Sequence, residues 1–367
     1  MLSEQELLYT LALQRIPNLG DISAKKLLRH FGTAEGVFKA KKRELLKIDG
    51  IGSLKLKSLF NAQYLDEAEA ELHFIQKEKL QFSYFQDSSY PEHLKHCLDG
   101  PILFFHKGNI DIKNKKLLSI VGTRKATSAG IDFTKKLIEA LAPLDIVIVS
   151  GFAYGIDITA HKAAIDHNLQ TIACLAHGMN QIYPKSHKKY VQKMVEHGGF
   201  ITEFWSDDTF DRNNFLRRNR IIAGISQATV VIESAEKGGS LVTADIAHSY
   251  NRDVFAVPGR TTDSQSVGCN TLIKIQKAQL ITSAADILFH LGWEAKKPSP
   301  TNQISLFVEL TEQEQKVYDF LKEKGKEEMD AISLSCELPT FMLAPLLLSL
   351  ELKGVVRPLP GKQFEAL

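Results

Sequence analysis

The residues best suited to chemistry in this chain are glycines, arginines and lysines gathered in a few short loops. The first loop, Gly122-Thr123-Arg124-Lys125-Ala126-Thr127-Ser128-Ala129-Gly130, follows an apolar run. Gly122 lets the backbone approach a ligand, and Thr127 or Ser128 suits the cap of a following helix. Arg124 stands where a phosphate would dock on that helix N-terminus, offering a bidentate fork. The second loop, Ser150-Gly151-Phe152-Ala153-Tyr154-Gly155-Ile156-Asp157, sets Gly151 and Gly155 just past another apolar run, an arrangement that holds an anion on backbone amides. Further on, Tyr183-Pro184-Lys185-Ser186-His187-Lys188-Lys189 joins an aromatic to three lysines. The segment Phe215-Leu216-Arg217-Arg218-Asn219-Arg220 then sets three arginines and Asn219 directly before the apolar Ile221-Ile222-Ala223-Gly224. A core-forming run follows at once, so some of these guanidinium groups should lie at a sheet edge, held by carboxylates or facing a polyanion. Glu233-Ser234-Ala235-Glu236-Lys237-Gly238-Gly239-Ser240 is a last glycine nest, with Gly239 and Ser240 opening a helix. Together these loops suit an extended phosphodiester chain better than a single phosphate ester.

Other chemistries lack their residues. Asp157 and His161 lie at i,i+4 and could form an acid–base pair, but an aspartate in a first helical turn stabilises the dipole while the histidine packs behind it. The loop after Val121 is not G-x-G-x-x-G, and no acidic residue follows at a ribose-binding position, so a dinucleotide cofactor is not expected. No G-x-x-x-x-G-K-[ST], nucleophile elbow or two-metal carboxylate cluster is present. Cys97, Cys174, Cys269 and Cys336 form no C-x-x-C pair, which excludes a zinc ribbon and reads as buried, reduced thiols of a cytoplasmic protein. The start of the chain has no signal-peptide pattern and no run of 18 apolar residues occurs, so no membrane insertion is expected.

The elements that must position these loops follow from periodicity. Apolar runs at Leu117–Val121, Ile146–Ser150, Thr171–Leu175, Phe200–Glu203, Thr229–Glu233 and Val254–Val257 read as strands. Helices should begin near Ser128, Ile156, His187, Phe215, Ser240 and Asn270. That alternation predicts an α/β domain over 76–293: an extended, Rossmann-like, mostly parallel sheet, with Pro101–Gly108 as an added edge strand. Residues 1–75 read as a helical domain of helix-hairpin-helix (SAM-like) type. Its apolar-glycine turns Ile16–Gly20 and Ile48–Gly52 each open a helix, and ten basic residues face three acidic ones between Ala24 and Lys57. A linker at 294–307 leads to helical segments at Glu312–Lys324, Asp330–Cys336 and Thr340–Leu352 and a hairpin from Gly354 to Gly361, a winged-helix-like domain over 308–367. From Glu309 onward there are 11 acidic and seven basic residues, a local −4. The segment Thr340–Leu350 is core-like and offers almost nothing for reading base edges, favouring packing or protein contact over duplex binding. The whole chain carries 45 Lys plus Arg against 43 Asp plus Glu, a net +2, which excludes a polybasic protein but not local basic loops.

The motifs resemble the DprA (Smf) family. They are Gly122-x-Arg124, Ser150-Gly-x-Ala-x-Gly-Ile-Asp157 with Ala160-His161, Tyr183-Pro184, Phe215 with Arg218-Asn219-Arg220-Ile221-Ile222-Ala223, Gly239-Ser240-Leu241-x-Thr243-Ala244, Val254–Gly259 and Gly268-Cys269-Asn270-x-Leu272-Ile273. The resemblance implies a protein that binds single-stranded DNA, protects incoming DNA, loads the RecA recombinase in natural transformation, acts as a homodimer and is not an enzyme. It carries over a basic pocket of Arg124 and Lys185, supported by Arg218, Asn219 and Arg220. The family pattern usually has proline at Leu216, asparagine at His187 and serine at Gly238, with glycine common at Asn251 and Lys277. Leu216 should loosen the arginine loop, and His187 should add a group titrating near neutral pH. The alternative function is that of a nucleotide phosphoribohydrolase of the lysine-decarboxylase-like Rossmann group. Lys237-Gly238-Gly239-Ser240-Leu241-Val242-Thr243-Ala244 lacks that group's proline and catalytic glutamate. A small-nucleotide sensor is a third reading.

Overall fold

Leu117 and Val121 pack on one side of a sheet while Leu118 and Ile120 pack on the other, because side chains along a strand alternate. Such two-sided burial explains the near-continuous apolar strands of the middle of the chain. The computed structural model describes residues 2–293, 310–359 and 363–367. It divides into two compact units, Met1–Lys296 and Lys297–Leu367.

The first unit is built on nine strands: β1 (Gln81–Tyr84), β2 (Leu103–Gly108), β3 (Leu117–Val121), β4 (Val147–Ser150), β5 (Thr171–Cys174), β6 (Gly198–Thr202), β7 (Ala228–Val231), β8 (Asp253–Ala256) and β9 (Gln279–Leu280). Their order is β1-β2-β6-β5-β4-β3-β7-β8-β9. From β6 to β9 all neighbours are parallel, with Leu118 opposite Ile148 on β4 and Ile120 opposite Val230 on β7. Strand order therefore reverses at β3, and the crevice between the carboxyl ends of β3 and β7 is the topological switch point. The segment expected at the edge, Pro101–Gly108, holds β2 one place inward. It pairs antiparallel with β6 on one side and with the four-residue β1 on the other.

Six helices, α1 (Glu4–Arg15), α2 (Asp21–Phe31), α3 (Ala34–Lys39), α4 (Lys42–Leu45), α5 (Ser53–Leu56) and α6 (Gln63–Glu78), precede the sheet. The two apolar-glycine turns do open α2 and α5, although α5 is a single turn. The expected boundary at residue 75 falls within α6, and residues 1–75 belong to the same compact unit as the sheet. Arg15 pairs with Glu67, Asp207 and Asp208, and Asp21 accepts from the Ile102 amide at 2.8 Å. Part of the N-terminal positive charge is committed internally: Lys25 is buried and donates to the carbonyls of Cys97 and Leu98, while Lys26 pairs with Asp49 and Lys39 with Glu35.

After α7 (Glu92–Lys95), the sheet is covered on one face by α8 (Ser128–Leu141) and α9 (Ile156–Asp166). A 3-10 turn at Lys185–Tyr190, where a helix was expected near His187, leads into α10 (Val191–Glu196). The other face carries α11 (Arg212–Ile225), α12 (Gly239–Ser249) and α13 (Val267–Lys274), and α14 (Ala284–Leu291) packs beside α8. Helix α11 starts three residues before the expected Phe215, because the Asp211 side chain caps it by accepting from the Asn213 amide at 2.8 Å. Leu216 therefore lies inside a helix that already fixes its backbone, and the arginine segment needs no proline for rigidity. Asn251 adopts φ +56°, the left-handed conformation in which glycine or asparagine is comfortable.

The second unit contains α15 (Glu312–Lys324), β10 (Lys326–Glu328), α16 (Met329–Cys336), α17 (Thr340–Leu352), β11 (Val356–Leu359) and β12 (Gln363–Ala366), with sheet order β10-β12-β11. Its core includes Val317, Leu321, Ile332, Leu343, Leu347 and Leu350. Helix α17 carries no Lys or Arg and leaves Phe341, Leu348 and Leu352 exposed on its other side. The expected linker at 294–307 lies outside the described residues. Among those described, no single helix is long and apolar enough to cross a membrane.

Candidate nucleic-acid interface

A crevice of about 820 Å³ opens at the switch point, and it gathers loops that are far apart in sequence. Of the sequence-predicted residues it collects Gly122, Arg124, Arg218, Asn219, Gly239 and Ser240. Lys125, Arg212 and Lys237 add further positive charge, and Asp157 is the sole carboxylate among its described lining residues. Lys185 lines an adjoining cavity of about 600 Å³ with Lys188; Tyr183 and Phe210 form part of both walls. Among the described residues, none of Arg124, Lys125, Lys185 and Lys237 forms an ion pair with a carboxylate.

Arg217, Arg218 and Arg220 of α11 go to three environments, as their helical spacing of about 100° per residue requires. Arg218 points under the crevice and is 4% exposed, donating to the carbonyls of Gly151 (2.7 Å) and Cys174. Burial lowers its guanidinium from the ordinary value, while Asp157 opposes that shift. Arg220 lies outside the crevice, donating to Glu203, Asp21 and the Asp99 carbonyl, and so ties α11 to α2. Arg217 faces outward with its guanidinium carbon 5.0 Å from the Phe204 ring centroid and 3.8 Å between its Nη2 and Glu203. Arg217 and Arg220 therefore lie outside the crevice and share another cavity beside the Asn18–Gly20 turn, and Arg217 also lines a second one there.

Gly151 and Gly155 serve the packing behind the crevice. A Cβ on Gly151 would sit 2.6 Å from the Arg218 guanidinium, and Gly155 has φ +77° with a Cβ position 2.2 Å from the Thr123 carbonyl. The anion held by this loop is the protein's own: the Asp157 carboxylate accepts from the amides of Gly151 (3.1 Å) and Ala153 (3.4 Å). Burial pushes that carboxyl above the usual range, opposed by Arg218 and the two amides. Asp157 and His161 form no acid–base pair. The His161 Nδ1 meets the Thr171 hydroxyl at 2.7 Å, and burial pushes the imidazole down to about 3. His187 is likewise buried, with Nδ1–H donating to the Phe152 carbonyl at 3.0 Å; burial lowers it, so the expected titration near neutral pH is displaced downward.

The N-terminus of α8, where Arg124 was expected to meet a phosphate, already holds a carboxylate. Glu233 accepts from the Thr127 amide at 2.9 Å and from its hydroxyl at 2.5 Å, and Thr127 in turn caps α8. Arg124 is instead exposed, its guanidinium carbon 5.3 Å from the Phe215 ring centroid.

Three rings meet at the rim. Tyr183–Phe210, Phe210–Phe215 and Tyr183–Phe215 have centroids 4.9, 5.5 and 5.9 Å apart, and Tyr183 and Phe210 are partly open to solvent. Sequence reasoning missed Phe210, whose only signal is its position as a lone aromatic in the polar run Ser206–Arg212. It also passed over Arg212 and Lys237 as lining residues, and Glu233 as the occupant of the α8 cradle.

Fold and site together define a doubly wound Rossmann-like domain with a cationic, ring-bordered switch-point crevice, linked in sequence to a winged helix. The model of DNA recombination-mediator protein A matches residues 81–292, and that of the DprA winged helix domain matches 298–362. The chain belongs to this DprA/Smf family. It is 35% identical to the DNA processing protein DprA of Streptococcus pneumoniae, over 66% of this chain and 84% of that protein. To protein Smf of Escherichia coli it is 36% identical, over 74% of each. The X-ray structure of DNA processing protein A from S. pneumoniae matches with a TM-score of 0.67 at 30% identity, covering 78% of this chain and 98% of the other. A structure of DNA processing protein A from Helicobacter pylori, described for its single-stranded DNA binding mode, matches with a TM-score of 0.51 at 28% identity, covering 57% and 95%.

Proposed function

We propose that the chain binds single-stranded DNA in the switch-point crevice without reading its sequence, protects it, and passes it to RecA recombinase during transformation. In this reading it is a cytoplasmic, non-catalytic homodimer. The carrying observation is the crevice itself: exposed cations that, among the described residues, pair with no carboxylate, beside a triad of rings, on a sheet with no dinucleotide fingerprint. Cations that track phosphates together with faces that stack bases are what a sequence-independent strand binder needs. The H. pylori relative described for binding single-stranded DNA supports the same ligand class. The RecA and dimer steps rest on the family resemblance alone.

Fluorescence anisotropy with labelled oligo(dT) across a salt series tests the site. Arg124→Ala and Lys185→Ala should each weaken binding similarly for every sequence and reduce the salt slope by about 1, one phosphate contact each. If either variant binds as tightly as the parent at moderate salt, that residue is not part of the site.

A further inference from the structure

In a doubly wound sheet, the helix that follows the first strand of the switch point offers its N-terminal amides to a ligand phosphate. Here that helix is α8, and the place is filled from within. The Glu233 carboxylate takes the Thr127 amide and hydroxyl, and it lies so close to α8 that a Cβ on Gly130 would sit 2.4 Å from it. Its own backbone carbonyl accepts from the Thr123 amide at 2.8 Å. One buried residue at the end of β7 thus grips the β3–α8 loop at both ends, and Arg124 and Lys125 lie between the grips.

We propose that Glu233 is the positioning residue of the crevice: its carboxylate replaces a ligand phosphate on α8 and clamps the loop that presents Arg124. The proposal rests on the reading of the crevice as a single-strand site. A flexible loop would have to be ordered when the strand binds, at a cost in affinity; a clamped loop has that order in the free protein. The cradle is closed to a terminal phosphate, and the cation that would have stood over it is turned to the rim beside Phe215.

The sign of the mutational effect separates this from simple electrostatics. Removing a negative charge near a polyanion site should strengthen binding if charge alone mattered. The clamp requires the opposite: Glu233→Ala should weaken oligo(dT) binding at least five-fold, while Glu233→Gln, which keeps an acceptor for the Thr127 amide, should stay within about two-fold of the parent. A residue acting through Arg124 should also be non-additive with it, so Glu233→Ala combined with Arg124→Ala should bind no more than about two-fold more weakly than Arg124→Ala alone. Should Glu233→Ala fail to fold, Thr127→Ala removes the hydroxyl half of the same grip while the Thr127 amide stays on Glu233, and it should show a smaller loss in the same direction with the same non-additivity. Tighter or unchanged binding by the folded Ala variant, or multiplicative effects in the double variant, would overturn the proposal. Hydrogen exchange in the DNA-free chain reads the clamp independently: the amides of Lys125 and Thr127 should exchange at least ten-fold faster in the variant, and unchanged exchange sinks the idea. If the parent fails to bind oligo(dT), the single-strand reading falls, and the exchange measurement still decides the clamp.

Discussion

Arg218 and Arg220 stand two positions apart on α11 and hold different parts of the molecule together. Arg218 braces the β4–α9 loop through the Gly151 carbonyl, with Asp157 facing it. Burial would pull the Arg220 guanidinium down, but Glu203, Asp21 and Asp99 more than offset it and leave it raised. Glu203 is itself 7% exposed, and Arg220 is its closest cationic partner. Arg220→Ala should therefore strand a buried carboxylate and cost about 3–5 kcal/mol, seen as a large fall in Tm by calorimetry. The surviving folded fraction should keep its oligo(dT) affinity. A small change in Tm, or a specific loss of DNA binding at full stability, would instead place Arg220 in the interface. The sequence pointed to some of the arginine cluster lying at a sheet edge, held by carboxylates or facing a polyanion. It could not say which guanidinium, because the partners Asp21 and Glu203 are 199 and 17 residues away from Arg220.

At the scale of elements, legibility followed burial. Strands β3 to β8 were readable because both faces are largely covered, so each appears as a short, near-continuous apolar run broken only by a serine, a threonine, glycines or a terminal aspartate. Strand β1 is four residues long, Gln81-Phe82-Ser83-Tyr84, with one exposed and one half-buried end position, and such a segment carries little signal. That omission moved β2 to the edge in the sequence reading. The ring triad was illegible for another reason: Tyr183 comes from the segment before the 3-10 turn, Phe210 from the loop before α11 and Phe215 from α11 itself, and no spacing links them. Because the rings act by stacking and the cations by charge, the two should separate experimentally. Phe210→Ala should weaken oligo(dT) binding by about 1–3 kcal/mol and leave the salt slope unchanged. If the slope drops as it does for Arg124→Ala, Phe210 supports a cation and does not stack a base.

At the scale of the whole molecule, the net charge of +2 is a sum of unlike parts, and the two units divide them unequally. The crevice cations all belong to Met1–Lys296, whereas the stretch from Glu309 carries 11 acidic and seven basic residues. Helix α17, at the recognition-helix position of a winged helix, exposes Phe341, Leu348 and Leu352 and has no basic residue to meet phosphate. Ending the chain after Lys296 should therefore leave both oligo(dT) affinity and salt slope as in the full chain. A ten-fold loss on truncation would show that the winged helix contributes to strand binding despite its charge. Removing residues 1–75 is a different operation. That cut passes through α6, deprives Arg220 of Asp21 and deprives Asp207 and Asp208 of Arg15. Its expected outcome is a destabilised sheet domain, so any loss of binding there reports on folding and must be judged against the Tm before it is assigned to helix-hairpin-helix contacts with DNA.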